Sequence, residues 1–304
     1  MHEARAFSPC HITGFFEIFD QQTDPLHTGS KGAGVSLENG VETTLKMTEA
    51  SRFSTEVKIN GVHQESAEIS KRVLNIMLSK LRGPKHLRIE VDHTVGVPMG
   101  AGFGTSGAVA LSLSLALNEA FELNLSRIKA AQVAHVAEVE CKTGLGTVIA
   151  ETFGGVEIRV EPGGPGVGKM RQLSGVDDTV VACLVFGPLS TREALTNPAT
   201  RDLVCHWGKD LVDRLVATPD VPNFLKCSRE FAEHVGLISK QVRKVLDATD
   251  KAGFVCSMPM FGDSAFTLVE RKSVEELLRA FEQSGQDGLV VTSDIDFDGA
   301  RVLK

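Results

Sequence analysis

The chain has 304 residues, 23% of them charged and 42% hydrophobic, with a net charge of −7 and a pI near 5.8. That length is enough to bury a large core, in two domains by expectation, and the acidic balance argues against nucleic acid or an anionic membrane as partner, since both select basic patches. No apolar run approaches a membrane span, and Glu3 and Arg5 stand where a signal peptide needs an apolar stretch, which predicts a cytoplasmic protein.

Taken in order, Ile12 to Phe19 reads as a strand ending in aromatic side chains. A loop follows from Asp20 to Gly34, and its cluster Gly29-Ser30-Lys31-Gly32-Ala33-Gly34 is weak as a phosphate loop. It predicts either a mobile substrate loop that carries the Lys31 cation into a site or a solvated surface turn. Val35 to Leu45 and Phe53 to Ile59 are expected strands, with a tight turn at Glu38-Asn39-Gly40. Ser66 to Leu81 has the apolar spacing of an amphipathic helix, and Leu87 to Val95 alternates as a strand.

That strand leads to Val97-Pro98-Met99-Gly100-Ala101-Gly102-Phe103-Gly104-Thr105-Ser106-Gly107-Ala108, with four glycines in eight residues, and then to an apolar helix. Glycine tolerates positive φ and close backbone approach, so successive N–H groups can share one concavity with the unpaired amides and positive dipole end of the helix. Such a loop suits an anion, most often a phosphate. Spacing alone leaves the identity open. Gly102, Gly104 and Gly107 also fit a dinucleotide fingerprint, but Pro98 and Gly100 separate them from the strand it requires, and the partner motifs of protein kinases and the Gly-Lys-Ser/Thr of a Walker loop are absent. A glycine-rich turn before a core helix fits the same spacing.

Ser126 caps a second helix reaching about Lys142, which carries His135 and Glu138, and Thr143-Gly144-Leu145-Gly146-Thr147 reads as a sharp turn before a strand from Gly155 to Val160. The Pro/Gly run from Glu161 to Gly168 is the expected domain boundary, dividing the chain into 1–165 and 166–304. Beyond it, Thr179 to Phe186 is a near-continuous apolar strand, and helices are expected at 200–217, 223–235 and 239–252. Strands at 254–261 and 265–269 joined at Gly262-Asp263, a helix at 273–284 and a strand at 289–292 complete an α+β sandwich. Asp294, Asp296, Asp298 and Gly299 imitate the start of a calcium loop, whose twelfth position would lie past residue 304, so they read as a polar turn. The six scattered cysteines form no C-x-x-C pair and the nine histidines show no ligand spacing, which predicts reduced thiols and neither a disulfide frame nor a zinc site.

With these pieces placed, the sequence resembles the GHMP kinase superfamily and, within it, the archaeal pantoate kinases. Val97 to Ala108 resembles the family's phosphate loop, Ser8 to Glu17 its N-terminal motif with Cys10 in place of a glycine, and Ser257 to Ser264 its third motif. The resemblance implies an α+β, two-domain GHMP kinase fold, with an N-terminal domain like ribosomal protein S5 domain 2 and a C-terminal ferredoxin-like α/β sandwich. It implies transfer of the ATP γ-phosphoryl group to the hydroxyl of a small carboxylate, in the first instance pantoate on the route to coenzyme A, with Mg²⁺ as the metal. Pro98, Gly100, Ala101, Gly102, Phe103, Gly104, Thr105, Ser106 and Gly107 would hold the nucleotide, with Ser106, or Thr105 beside it, and Glu138 on the metal. His11, Thr13, Ser30, Lys31 and Gly262 would face the substrate, Lys31 taking its carboxylate. Ser106 as a plain helix cap and Glu138 as an exposed helix residue are the structural alternatives.

One position departs from the family. Many of these kinases have an aspartate, proposed as the base, where this chain has Thr147, which cannot take a proton at neutral pH. Some relatives, such as homoserine kinase, are thought to manage without that base, which suits a loose transition state. Catalysis with Thr147 as an orienting hydroxyl, another GHMP-type kinase or synthase, and a nucleotide-binding protein without catalysis all fit these residues. A homodimer is expected from the prevalence of two-fold assemblies.

Overall fold

The computed structural model describes residues 2–79, 86–189 and 196–304. Two long strands form its spine. β1 (His2–Phe19) and β2 (Gly29–Glu49) pair antiparallel from His2↔Met47 to Phe19↔Gly29. The predicted loop at 29–34 is therefore strand, and the pairing of Glu17 with Lys31 and of Thr13 with Gly34 fixes it in the sheet. The predicted turn at Glu38-Asn39-Gly40 is also strand: the register steps from Cys10↔Leu37 to Ser8↔Val41, so β2 accommodates extra residues as a bulge opposite Pro9. Proline offers no N–H to the ladder, and pairing lapses there.

The large sheet runs β11-β1-β2-β5-β3-β4, where β3 is Ser54–Ile59, β4 Val62–His63, β5 Leu87–Val95 and β11 Arg301–Leu303. β2 changes neighbour along its length: residues 41–49 pair with β5, and residues 32–35 pair with β6 (Val156–Glu161). β7 (Lys169–Gln172) pairs with β6, so the Pro/Gly run at 161–168 is their connection, and the chain departs from this sheet only afterwards. A second sheet, β10-β8-β9, is built from β8 (Thr179–Pro188), β9 (Gly262–Glu270) and β10 (Leu289–Asp294).

Helices α1 (Glu68–Ser79), α2 (Thr105–Ala120) and α3 (Arg127–Cys141) cover one face of the large sheet. Positions 80 and 81 of the predicted first helix lie outside the described residues. Every residue of α2 from Gly107 to Leu117 is buried, as an all-round apolar helix requires. The chain beyond the turn at 143–146, expected to run straight into a strand, forms the short α4 (Thr147–Phe153) instead. The predicted helix 200–217 is two, α5 (Pro198–Gly208) and α6 (Leu211–Ala217), broken where a Cβ at Gly208 would lie 2.1 Å from the Phe16 carbonyl and where Asp210 has φ 68°. α7 (Val221–Val235), α8 (Lys240–Lys251) and α9 (Val274–Gln283) are the remaining α-helices among the described residues. Residues 254–261 are no strand: one bridge, Ser257↔Phe266, holds this segment, and Pro259 interrupts it. Asp296 accepts from the Gly299 amide at 2.7 Å and pairs with Arg301 at 2.8 Å, so the acidic run near the C-terminus is a polar turn.

The contact between α1, α2 and the sheet includes one polar cluster. Nδ1 of His93 meets the Thr43 hydroxyl at 2.7 Å, Nε2 meets the Ser70 hydroxyl at 3.0 Å, and Thr43 also touches Ser112 at 2.6 Å. Burial lowers the His93 pKa from 6.5 to about 4. A group whose folded pKa is depressed binds its proton more readily when unfolded, so its contribution is intact above pH 6.5 and is lost as pH falls through 4. Stability should drop by about 3 kcal/mol between pH 7 and pH 4 on this account. Denaturant unfolding across that range checks it: His93→Gln should flatten the profile relative to the unmutated chain.

Candidate active site

A pocket opens where α2 begins, between the glycine loop, the turn at 143–147 and the face of β1, β2 and β6. In the loop, Gly100, Gly102 and Gly104 have φ of 75°, 90° and 60°, values that side chains resist. Its carbonyls are tied outward. Phe103 O accepts from the His11 amide at 3.0 Å, Gly100 O from the Leu189 amide at 2.9 Å, and Ala101 O from the Ser264 hydroxyl at 3.0 Å. A Cβ at Gly262 would stand 2.0 Å from the Ala101 carbonyl, so the third motif supports the loop from behind. Gly104 is the N-cap of α2 and no side chain caps the helix, which leaves first-turn amides unpaired at the pocket wall. The helix cap reading of Ser106 is thereby replaced: its hydroxyl donates to Oε1 of Glu138 at 2.6 Å.

Glu138 is 1% exposed, not a solvated helix residue. Thr143 also donates to its Oε1, at 3.1 Å, and Thr147 to its Oε2, at 2.9 Å. Burial raises its pKa, and the three hydroxyl bonds oppose that rise. A Cβ at Gly144 would lie 2.3 Å from Oε2, so the turn needs glycine to close on this carboxylate. Beneath the loop, Glu151 of α4 is wholly buried and neither oxygen has a hydrogen-bond partner. Burial first, then the charges of Glu138 and Glu157, push its pKa well above the usual carboxylate range.

The floor is a polar cluster laid across β2. His11 on β1 reaches over Gly34 to Glu157 on β6, with Nε2 at 3.0 and 3.1 Å from the two carboxylate oxygens. Arg159, two residues along β6, lies over Gly32 and also bonds Glu157. A Cβ at Gly34 would stand 2.3 Å from His11 Nε2, and one at Gly32 would stand 2.9 Å from Arg159 Nη2. The glycines at 32 and 34 thus clear a channel across the strand in which two side chains lie flat. Arg159 is wholly buried, burial lowers its pKa against the pull of Glu157, and its Nε has no partner although it borders the pocket.

Among the expected site residues, Gly100, Gly102, Phe103, Gly104, Thr105, Ser106, His11, Thr13, Ser30 and Thr147 line the pocket. Pro98, Ala101, Gly107 and Gly262 do not line it and Glu138 lies behind it, reached through Ser106 and Thr147. Lys31 is not brought to the pocket: alternation along β2 turns it away from Ser30, and its Nζ sits 5.4 Å from the Phe19 ring centroid. Among the described residues lining the pocket, the arginine or lysine is Arg159. Sequence reasoning passed over it, yet Glu157 and Arg159 share one strand face with two charges among apolar neighbours, facing glycines at the same spacing of two. Phe16, Leu145, Met260 and Phe261 add an apolar wall.

The model of the GHMP kinases N terminal domain matches residues 68–155. The chain is 36% identical over 279 residues to the pantoate kinase of Thermococcus kodakarensis, covering 90% of this chain and 89% of the relative. It is 32% identical over 276 residues to the pantoate kinase of Methanocaldococcus jannaschii, covering 90% of this chain and 95% of that one. Among solved structures, a phosphotransferase related to the CoA biosynthesis pathway superposes with a TM-score of 0.89 at 30% identity, over 99% of this chain and 98% of that one. The chain belongs to the pantoate kinases of the GHMP kinase family, and its fold is the two-domain α+β fold of that family.

Gly34 has ordinary extended backbone, so adding a methyl group there tests space alone. Gly34→Ala should cost about 1 to 3 kcal/mol of stability, because the added Cβ would stand 2.3 Å from both the His11 ring nitrogen and the Ile12 carbonyl oxygen. Thermal unfolding of this variant beside Gly187→Ala, whose backbone is also ordinary and whose Cβ would meet nothing within 4 Å, separates the crowding from a general effect of losing glycine.

Proposed function

We propose that this protein transfers the γ-phosphoryl group of ATP to the primary hydroxyl of pantoate, giving 4-phosphopantoate. The observation that carries this reading is the juxtaposition of Arg159 with the glycine loop across one pocket. Pantoate has a carboxylate, hydroxyls and a pair of geminal methyl groups. The pocket answers each, with the Arg159 guanidinium for the carboxylate, the hydroxyls of Thr13 and Ser30 for polar contacts, and Phe16, Leu145, Met260 and Phe261 for the methyls. The bare amides at the start of α2 would take the triphosphate, since a helix N-terminus and a glycine bend favour phosphate.

Ser106 Oγ and Glu138 Oε1 stand side by side at 2.6 Å, an all-oxygen donor pair of the kind a hard cation prefers. Among the described residues no group of three or more His, Cys, Asp or Glu could hold a metal unaided. That fits an ion completed by nucleotide phosphates, as Mg²⁺ sites usually are. When bound, Mg²⁺ would neutralise charge on the transferring phosphoryl group. Thr147 binds the far oxygen of the same carboxylate at 2.9 Å, so its hydroxyl fixes Glu138 and orients what lies beside it. We take Ser106, Glu138 and Thr147 as the transfer machinery and His11, Thr13, Ser30 and Arg159 as the acceptor side.

A coupled ADP-release assay on the purified protein with pantoate, homoserine, mevalonate and shikimate tests this. Turnover with pantoate alone is expected, and turnover with another acceptor in its place would overturn the substrate. Arg159→Met should raise KM for pantoate roughly 30-fold or more while KM for ATP stays put, the cost of losing a charge-assisted bond in a buried site. Glu138→Gln should instead lower kcat by roughly 100-fold or more.

A further inference from the structure

Resting on the kinase reading above, the arrangement leaves one question of chemistry open: where the proton of the acceptor hydroxyl goes when Thr147 cannot take it. Among the described residues lining the pocket, His11 and Arg159 are the titratable ones. An arginine cannot accept a proton at neutral pH. Glu138 already accepts three hydroxyl bonds, and Glu151 is sealed beneath the loop with no face to the pocket.

His11 is set up differently. Glu157 also receives a bond from Arg159, and a carboxylate paired with a guanidinium accepts from its neighbours. The ring nitrogen facing it, Nε2, therefore carries the hydrogen. The other nitrogen, Nδ1, then holds a lone pair, and its sole partner among the described residues is the Thr13 hydroxyl at a long 3.3 Å. Thr13 itself lines the pocket. The His11 side chain is wholly buried, and its Nδ1 reaches the pocket by way of the Thr13 hydroxyl; a carboxylate behind such a ring, fixing its tautomer and able to stabilise the imidazolium, is the arrangement that makes a histidine a base.

We propose that His11 is the general base of the transfer, with Glu157 as its orienting carboxylate. The acceptor O–H bond breaks and its proton passes to Nδ1, directly or by way of the Thr13 hydroxyl. The oxygen forms its bond to Pγ, and the bond from Pγ to the β,γ-bridging oxygen breaks, its electron pair leaving on ADP. The imidazolium returns the proton to water once the product has left. The anchorage of the glycine loop supports this: the His11 amide holds the Phe103 carbonyl at 3.0 Å, so one residue ties the phosphate loop to the base.

The test uses single-turnover rates with ATP and pantoate. His11→Gln keeps a donor where Nε2–H was and removes the base, so the rate should fall roughly 100-fold or more, with ATP affinity and thermal midpoint unchanged. The unmutated enzyme should show a rising acid limb in rate against pH, and that limb should vanish in His11→Gln. Among the described residues the charged group bonded to the ring is Glu157 from β6, which Arg159 of the same strand also pairs with. An imidazole limb shifts with temperature, whereas a carboxyl limb barely does, so this measurement decides the matter in the unmutated protein even if the variant fails to fold. A variant rate within about threefold of the unmutated one, or a temperature-insensitive limb, overturns the proposal. Absence of pantoate turnover in the unmutated enzyme would instead defeat the substrate reading.

Discussion

The site depends on how the backbone of residues 100–104 is held. Peptide groups offer both a donor and an acceptor, and a loop that turns its amides inward must satisfy its carbonyls elsewhere. Here the carbonyls of Gly100, Ala101 and Phe103 are bonded from outside by Leu189, Ser264 and His11. Those partners come from the end of β8, from β9 and from β1, so both sheets are needed to fix one bend. The three positive-φ glycines let the bend exist, and the second sheet keeps it from relaxing. The third motif thereby acts on the phosphate loop through packing, with Gly262 giving the closest approach.

Around that bend the protein concentrates negative charge where water cannot reach. Glu138, Glu151 and Glu157 are all buried. Such groups cost stability unless paired or neutralised, and the three are treated in three ways. Glu138 is wrapped in hydroxyl donors, Glu157 is paired with Arg159 and His11, and Glu151, left without a hydrogen-bond partner, has its pKa pushed up by burial. Tolerating this expense beside an anion-binding loop marks a site assembled for ligands and not for stability. The apolar core on the other face of the large sheet, built around the fully buried α2, carries the fold.

Much of this was legible in the residues. The glycine loop, the helix behind it with Glu138 on the next one, and the alternating strand before it follow from composition and period. The misreading at 29–34 has a plain cause: glycine looks like loop in a single sequence, whereas here it serves a strand crossed by other side chains. Only the distant partners, His11 from β1 and Arg159 from β6, give Gly32 and Gly34 their meaning. The same long-range dependence hid α4, whose seven residues carry little periodic signal. It also hid β7 and β11, which exist because longer strands offered free edges.

The charge distribution also explains why a neutral base suits this pocket. A fourth carboxylate at position 147 would stand beside Glu138 and Glu151, both within reach of the first turn of α2: a Cβ at Gly107 would lie 2.6 Å from a Glu151 oxygen, 3.2 Å from a Glu138 oxygen and 3.2 Å from the Thr147 hydroxyl. Added negative charge there would oppose the binding of any anion at the N-terminal end of the helix. Threonine keeps the hydrogen bond to Glu138 without the charge. An imidazole stays uncharged until the proton moves, and becomes positive when charge on the transferring group is being redistributed. A proton acceptor on β1, as proposed for His11, would keep further negative charge away from a crowded set of carboxylates.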